Sequence, residues 1–127
     1  MLLGLGVDIV ECARIGSLWE RHGARFLERC FRPEELAPVL ARPRPAAVPA
    51  LAARWAAKEA FLKAVGGLPG VVYRDIAVVR EAGGEPALRL HGAAARALAD
   101  RGAAVALVSL SHERRFAVAV VALSGRR

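Results

Sequence analysis

The alanine-rich segment at residues 50–65 restricts the fold more than any other feature of this 127-residue chain. Alanine has the highest helix propensity, and two glycines directly after the segment are a typical signal for the end of a helix. At 3.6 residues per turn, Ala57, Ala60 and Ala64 lie on one face of that helix. Because such small side chains allow another element to approach closely, we expect the helix to be buried at the centre of the fold.

The sequence before this helix predicts one strand, three helices and a loop. A glycine-punctuated apolar run favours a buried strand, while apolar residues at helical spacing, with Gly23 as a stop signal, favour helices. Three prolines interleaved with alanine and arginine favour a loop. In chain order, the predicted elements are a strand at 2–7, helices at 11–22 and 24–30, a helix that begins at Pro33, and a loop at 41–49.

The sequence after the central helix predicts two hairpins with a helix between them. Alternating and β-branched runs favour strands, and the glycine pair at 83–84 favours a tight hairpin turn. The predicted elements are strands at 72–80 and 86–90, a helix at 93–101, and strands at 105–110 and 116–123. This order indicates an α+β fold, and the length indicates one domain over residues 1–127.

The charge balance indicates an anionic partner. The formal net charge is +7, which favours nucleic acid, an acidic protein, a phosphorylated ligand or an anionic lipid surface. Nearly all of the positive charge is arginine, and the only two lysines, Lys58 and Lys63, lie in the predicted central helix. A lysine retained in such an arginine-rich chain reflects either chance or a need for a compact ammonium group.

The cysteines and the N-terminal residues bear on the compartment. Cys12 and Cys30 fit neither a disulfide framework nor a metal-binding spacing, so we expect both to be buried thiols. The apolar run 1–7 is short and lacks the basic start of a signal peptide. No apolar run reaches about 18 residues, the length that a membrane span needs. We therefore expect a cytoplasmic protein with no membrane partner.

Three separate places carry side chains suited to phosphoryl-type chemistry. Asp8 follows the first strand, Glu59 and Lys63 are four residues apart in the central helix, and His112 lies in the last hairpin. Taken singly, these would be a helix N-cap, a solvated ion pair and a surface histidine. Taken together, two carboxylates suit a Mg²⁺ ion, and the basic groups would complete a pyrophosphate site.

Motifs along almost the whole chain make it similar to one known family. The patterns are G-x-D-(I/V)-x-x-x-x-R at 6–14, R-(F/W)-A-x-K-E-A-x-x-K-A-x-G at 54–66, an aspartate-initiated strand at 75–76, G-x-P at 84–86 and S-(I/L)-S-H at 109–112. In order and spacing they resemble the holo-acyl-carrier-protein synthases, the small bacterial type of 4′-phosphopantetheinyl transferase.

This resemblance implies a fold, an assembly and a reaction. The fold would be the 4′-phosphopantetheinyl transferase fold, an antiparallel sheet wrapped around a central helix, in a homotrimer with active sites between subunits. The reaction would be a Mg²⁺-dependent transfer of 4′-phosphopantetheine from coenzyme A to a serine of an apo-acyl carrier protein, which releases adenosine 3′,5′-bisphosphate. The carrier would serve fatty-acid or polyketide synthesis, and the resemblance leaves both open.

The resemblance also assigns roles to residues. Asp8 and Glu59 would bind Mg²⁺, and Lys63 would stabilise charge on the pyrophosphate during the transfer. Further groups would bind the coenzyme A phosphates or dock the acidic helix of the carrier. The coenzyme A contacts would be Arg54, Lys58, Lys63, Gly66 and His112, and the docking residues Arg14, Arg21, Arg25 and Phe26. Asp8 or Glu35, acting through a water molecule, would be the general base.

Two departures from the family pattern and one rival reading stay open. After Gly66 the family continues Thr-Gly, whereas Gly67 and Leu68 follow here, so a hydroxyl that could bind phosphate is missing. The proline-rich loop at 41–49 is also unlike a typical member. The net charge would equally suit a basic nucleic-acid-binding domain, but the chain lacks the aromatic residues that a single-strand platform interleaves with basic ones.

Overall fold

A computed structural model of the chain describes residues 1–70 and 72–125. One strand and four helices are followed by a short 3-10 turn at Tyr73–Asp75, a hairpin, a fifth helix and two further strands. The elements are β1 Leu2–Glu11, α1 Cys12–His22, α2 Ala24–Cys30, α3 Pro33–Leu40, α4 Arg44–Ala64, β2 Ile76–Arg80, β3 Pro86–Leu90, α5 Gly92–Asp100, β4 Val105–His112 and β5 Phe116–Ser124. This order confirms the predicted α+β class.

The larger of two sheets is antiparallel, with the strand order β1-β5-β4, whereas β2 and β3 form a separate hairpin. In the larger sheet Val7 on β1 pairs with Val120 on β5, which pairs in turn with Ser109 on β4. Every second residue of β5, including Ala119 and Val121, is buried because that face of the sheet packs against α4. The antiparallel sheet expected against the central helix is therefore present, and it covers one side of α4.

Helix α4 lies at the centre of the fold. It contacts β1, β2, β4 and β5 as well as α1 and α3, and most of its residues are buried. Most of the buried ones are alanines, so the neighbouring elements approach its backbone closely. This apolar character does not make α4 a membrane span, because no helix within residues 1–70 and 72–125 is long and apolar enough to cross a bilayer.

Two glycines of β1 permit the closest of these contacts. A Cβ atom on Gly6 would collide with the carbonyl oxygen of Ala60, and one on Gly4 with the carbonyl oxygen of Ala64. Gly4 thus faces Ala64 and Gly6 faces Ala60, so the residue number on α4 falls as the number on β1 rises. The two elements therefore run antiparallel where they touch. Asp8 is the next residue of β1 on this face, and it is therefore held beside α4.

The predicted loop at 41–49 is wrong, because α4 already begins at Arg44. Only three residues separate it from α3. Pro45 lies in the first turn, where a backbone N–H has no acceptor within the helix, so proline is tolerated there. Pro49 lies in the second turn and removes a single bond, the one to the carbonyl group of Pro45. The prolines therefore mark the start of the central helix rather than a loop.

The first strand is also longer than predicted. It continues to Glu11, and the N-cap position of α1 is Glu11 itself, so the reading of Asp8 as a helix N-cap is wrong. The predicted strand at 72–80 is partly a 3-10 turn, Tyr73–Asp75, before β2 begins. The remaining predicted elements are confirmed within one or two residues at each end.

Candidate active site

Asp8 and Lys63 form an ion pair between β1 and α4. Nζ of Lys63 donates to Oδ1 of Asp8 and to the carbonyl oxygen of Val7, each at 3.0 Å. The Asp8 side chain is 17% exposed and that of Lys63 is 55% exposed. Lys63 thus pairs across to the strand and not with Glu59 one turn earlier, so the alternative of a plain helical ion pair is wrong. Both charges remain accessible to a ligand.

Glu59 instead accepts a hydrogen bond from a residue that the sequence analysis missed. The hydroxyl of Tyr73 donates to Oε1 of Glu59 at 2.7 Å, and its ring stacks on Trp55 at 4.9 Å with 28° between the planes. The one sequence signal that could have identified this residue is that Tyr73 is the only tyrosine of the chain. Nothing in its spacing relates it to Glu59.

The environment of Tyr73 keeps its phenol protonated. Burial, followed by the hydrogen bond to Glu59 and the charge of Glu59, raises the pKa of Tyr73 to about 12. The positive charge of Arg14 acts on this pKa in the opposite direction. At neutral pH the hydroxyl is therefore a hydrogen-bond donor to the carboxylate.

The donor set suits a magnesium ion. Asp8 and Glu59 supply two carboxylates from adjacent elements, and Oε2 of Glu59 has no hydrogen-bond donor among the described residues. Within residues 1–70 and 72–125 no group of three or more His, Cys, Asp or Glu side chains could form a cage for a metal. Mg²⁺ commonly uses one or two carboxylates and fills its other positions with water and phosphate oxygens. The pair therefore fits Mg²⁺ in the presence of a phosphate ligand.

Lys58 does not lie at this site, and the expectation that it contacts a coenzyme A phosphate is wrong. Its side chain is fully buried and donates to Oε1 of Glu35 at 2.9 Å. It donates further to the carbonyl oxygens of Tyr73, at 3.0 Å, and Ile76. Burial lowers the pKa of Lys58, and the charge and hydrogen bond of Glu35 oppose that shift. All three N–H groups are used inside the protein, so none is left for a ligand.

Glu35 is likewise unsuited to the role of general base. The residue is fully buried, and besides Lys58 its oxygens accept hydrogen bonds from the backbone N–H groups of Arg32 and Val78, each at 2.9 Å. A base must reach the proton that it removes, directly or through one water. Of the two candidates, Asp8 is the one that is accessible, and its role as base stays a prediction.

Arg54 occupies a different surface of α4. It is 6% exposed and donates to the carbonyl oxygen of Ala50 at 3.3 Å, while its Nε has no partner among the described residues. It lines a cleft of about 260 Å³ that also contains Arg80 and Arg89. At 3.6 residues per turn, Arg54 and Glu59 point about 140° apart around the helix. A single chain therefore does not bring Arg54 to the carboxylate pair.

His112 and Gly66 are both exposed at the surface. His112 ends β4 and pairs with Ala117 on β5, which pairs with Val10 on β1. Two strand spacings, about 10 Å in all, thus separate His112 from β1. Gly66 follows α4 with a φ of 82°, a left-handed conformation that favours glycine.

The predicted docking residues divide into two groups. Arg14, Arg21 and Arg25 are exposed on α1 and α2 and form a basic surface. Phe26 is buried and packs edge-on against Phe31 with the ring centroids 5.9 Å apart. Helix α2 turns most of this side chain into the core, and the contact of Phe26 with a carrier stays a prediction.

Comparison with known proteins shows the family of the chain. The family model of the 4′-phosphopantetheinyl transferase superfamily matches residues 4–121, nearly the whole chain. The chain belongs to that superfamily.

Within the superfamily the relatives are holo-acyl-carrier-protein synthases. The synthase of Treponema denticola is 48% identical over 126 residues, which cover 98% of this chain and 100% of the relative. The crystal structure of the synthase of Neisseria meningitidis is 37% identical and covers 98% of this chain and 99% of that chain, with a TM-score of 0.85. The synthase of Bacillus anthracis, solved in complex with coenzyme A (3′,5′-ADP), is 32% identical with a TM-score of 0.79, and 99% of each chain is covered. The chain is thus an enzyme of the holo-acyl-carrier-protein synthase type.

Proposed function

We propose that the chain transfers 4′-phosphopantetheine from coenzyme A to a serine of an apo-acyl carrier protein in a Mg²⁺-dependent reaction that releases adenosine 3′,5′-bisphosphate. The observation that carries this proposal is the ion pair of the exposed Lys63 on α4 with Asp8 on β1, one helical turn from Glu59 on the same helix. The coenzyme A complex of the similar synthase from Bacillus anthracis supports the donor substrate.

Asp8 and Glu59 would hold the metal. When bound there, Mg²⁺ supplies positive charge that polarises a pyrophosphate and neutralises the charge on the departing phosphate. Lys63 donates to a pyrophosphate oxygen in this proposal. Its ammonium group is more than half exposed, so it can turn from Asp8 towards a ligand at little cost.

The reaction is a substitution at the β-phosphorus of coenzyme A. The serine oxygen of the carrier forms a bond to this phosphorus, and the bond from the phosphorus to the oxygen that bridges the two phosphates breaks. The electron pair of the broken bond stays on the 5′-phosphate of adenosine 3′,5′-bisphosphate. The serine proton passes through a water molecule to Asp8, the accessible one of the two candidate bases.

An uncovered apolar face of the larger sheet supports a homotrimer. One face packs on α4, but the opposite face exposes Leu5, Val7, Ile9 and Leu107, each to more than half of its surface. Apolar patches of this kind mark interaction surfaces, and further copies of the chain would bury this one. In such an assembly Arg54 and His112, which lie away from Asp8 within one chain, would be contacts that a neighbouring subunit supplies.

The basic surface of α1 and α2 would dock the carrier. Arg14, Arg21 and Arg25 are exposed there, and Arg14 lies close enough to Tyr73 to affect its pKa. An acidic helix placed on these arginines would therefore border the carboxylate pair. Such complementary charge raises the rate of encounter and fixes the orientation of the carrier.

The proposed compartment is the cytoplasm. Cys12 and Cys30 are free and buried, in agreement with the prediction from the sequence. Burial raises the pKa of both thiols, which makes them unreactive. Free thiols are typical of the reducing cytoplasm.

One assay tests the proposal. The protein is incubated with a freshly prepared apo-carrier, coenzyme A and Mg²⁺, and the carrier is weighed by mass spectrometry. We expect an increase by one phosphopantetheine group that EDTA abolishes. Glu81→Gln, an exposed glutamate in the β2–β3 turn, is the matched control for Glu59→Gln. The proposal is refuted when several apo-carriers show no increase, or when Glu59→Gln transfers as well as Glu81→Gln.

A further inference from the structure

We propose that Tyr73 is a positioning residue for Glu59, whose Oε1 it holds so that Oε2 alone is presented to the metal. The inference rests on the proposed function, because it takes Glu59 as a metal ligand. Its basis is the 2.7 Å hydrogen bond from the phenol to Oε1, together with the way in which the protein fixes Tyr73.

Tyr73 is held against one face of α4 at three points. Its ring stacks on Trp55, its carbonyl oxygen accepts from Lys58 at 3.0 Å, and its hydroxyl donates to Glu59. Residues 55, 58 and 59 are spaced by three and four positions, so they lie on neighbouring parts of one helical face. The tyrosine therefore has a defined position and direction relative to the carboxylate.

The buried ion pair extends this support to the rest of the fold. Lys58 is fixed by Glu35 on α3, and it also donates to the carbonyl oxygen of Ile76 at the start of β2. The 3-10 turn that carries Tyr73 is thus tied to α3, α4 and β2 through one ammonium group. This gives Lys58 an indirect role at the site, in place of the direct contact expected from the sequence.

The chemistry explains why such support matters. Mg²⁺ demands nearly ideal octahedral geometry, so a carboxylate that turns freely or binds through both oxygens suits it poorly. Without the phenol, Glu59 could also turn to Lys63 one helical turn away. Groups that hydrogen-bond to a metal ligand fix its orientation, and their loss typically weakens metal binding about 10–100-fold.

Direct metal binding tests the proposal without recourse to activity. Mn²⁺ binding to the protein in the presence of coenzyme A is measured by electron paramagnetic resonance for the wild type, Tyr73→Phe, Glu59→Gln and Glu81→Gln. Tyr73→Phe keeps the ring on Trp55 and removes only the hydroxyl. We expect it to bind Mn²⁺ about tenfold or more weakly, with an unchanged melting temperature, while Glu81→Gln binds like the wild type.

The outcomes separate this inference from the proposed function. Wild-type affinity in Tyr73→Phe, together with weak binding in Glu59→Gln, overturns the positioning role and leaves the metal site intact. Wild-type affinity in Glu59→Gln overturns the metal site itself. A large drop in the melting temperature of Tyr73→Phe would identify the hydroxyl as structural and would likewise overturn the positioning role.

The single tyrosine also provides a spectroscopic readout. Protein labelled with ¹³C at the ring carbon that bears the hydroxyl gives one tyrosine resonance. At fixed neutral pH we expect Glu59→Gln to shift this resonance, and Mg²⁺ to shift it in the wild type but not in Glu59→Gln. A resonance that responds to neither change contradicts the proposal.

Discussion

Replacing Lys58 with methionine should destabilise the protein strongly. The carboxylate of Glu35, fully buried, would keep only the backbone donors of Arg32 and Val78 and would lose its counter-charge. The carbonyl oxygens of Tyr73 and Ile76 would lose a donor as well. Removing one partner of a buried ion pair costs about 3–5 kcal/mol, a large part of the roughly 5–15 kcal/mol by which a domain is stable.

The only other lysine of the chain is the matched control. Lys63 is 55% exposed, and exposed ion pairs contribute about 0–1 kcal/mol, so Lys63→Met should leave the free energy of unfolding nearly unchanged. Its loss should instead reduce turnover by about 10²–10³-fold, as for other groups that stabilise charge in the transition state. The two lysines should thus show opposite phenotypes.

Urea unfolding, followed by tryptophan fluorescence and circular dichroism at one protein concentration, measures the free energy of unfolding. The mass-spectrometric transfer assay measures the turnover. The reasoning is refuted if Lys58→Met loses less than about 1 kcal/mol of unfolding free energy, below the range for a broken buried pair. Equal destabilisation by Lys63→Met would refute it too.

Three further substitutions, two of them paired with a control variant, test the packing, the docking surface and the assembly. Gly6→Ala should destabilise by about 1–3 kcal/mol or more in urea unfolding, because its Cβ collides with the backbone of α4. Gly16→Ala in α1 meets only a side chain at 3.4 Å and should be neutral or stabilising. Arg14→Ala should raise the KM for the carrier about tenfold with little change in kcat, whereas Arg96→Ala on α5 should change neither. Leu5→Glu should break the assembly, seen as a smaller mass in light scattering coupled to size-exclusion chromatography.

Each of these predictions has a contrary outcome. Equal stability of the two glycine variants would mean that β1 and α4 do not meet as described. A loss of kcat alone in Arg14→Ala would place that side chain in the transfer step rather than in docking. An unchanged mass for Leu5→Glu would leave the exposed sheet face without its proposed role.

Features that depend on short stretches of sequence were predicted correctly. The alanine-rich helix and its glycine stop, the two hairpins and the helix ending at His22 follow from propensity and periodicity, which act locally. The prediction of a loop at 41–49 was wrong because the effect of proline depends on its position in a helix. Pro45 and Pro49 fall in the first two turns of α4, where little hydrogen bonding is lost.

The site was predicted only in part because the direction of each side chain depends on the tertiary structure around α4. Lys58 and Lys63 both occupy motif positions, but one points into the core and the other towards Asp8. That difference depends on which faces of α4 the surrounding elements cover, and motif spacing does not encode it. Tyr73 was missed because it meets Glu59 only after the 3-10 turn folds back onto the helix.

The most direct test of the central claim is a crystal structure with coenzyme A and Mn²⁺, recorded at the manganese absorption edge. We expect one anomalous peak, with an oxygen of Asp8 and Oε2 of Glu59 each about 2 Å away. A phosphate oxygen of coenzyme A should be a further ligand of the manganese ion. Arg54 and His112 of a neighbouring subunit should approach the same ligand. Coenzyme A bound with the anomalous peak elsewhere, or with no peak beside these two carboxylates, would contradict the account.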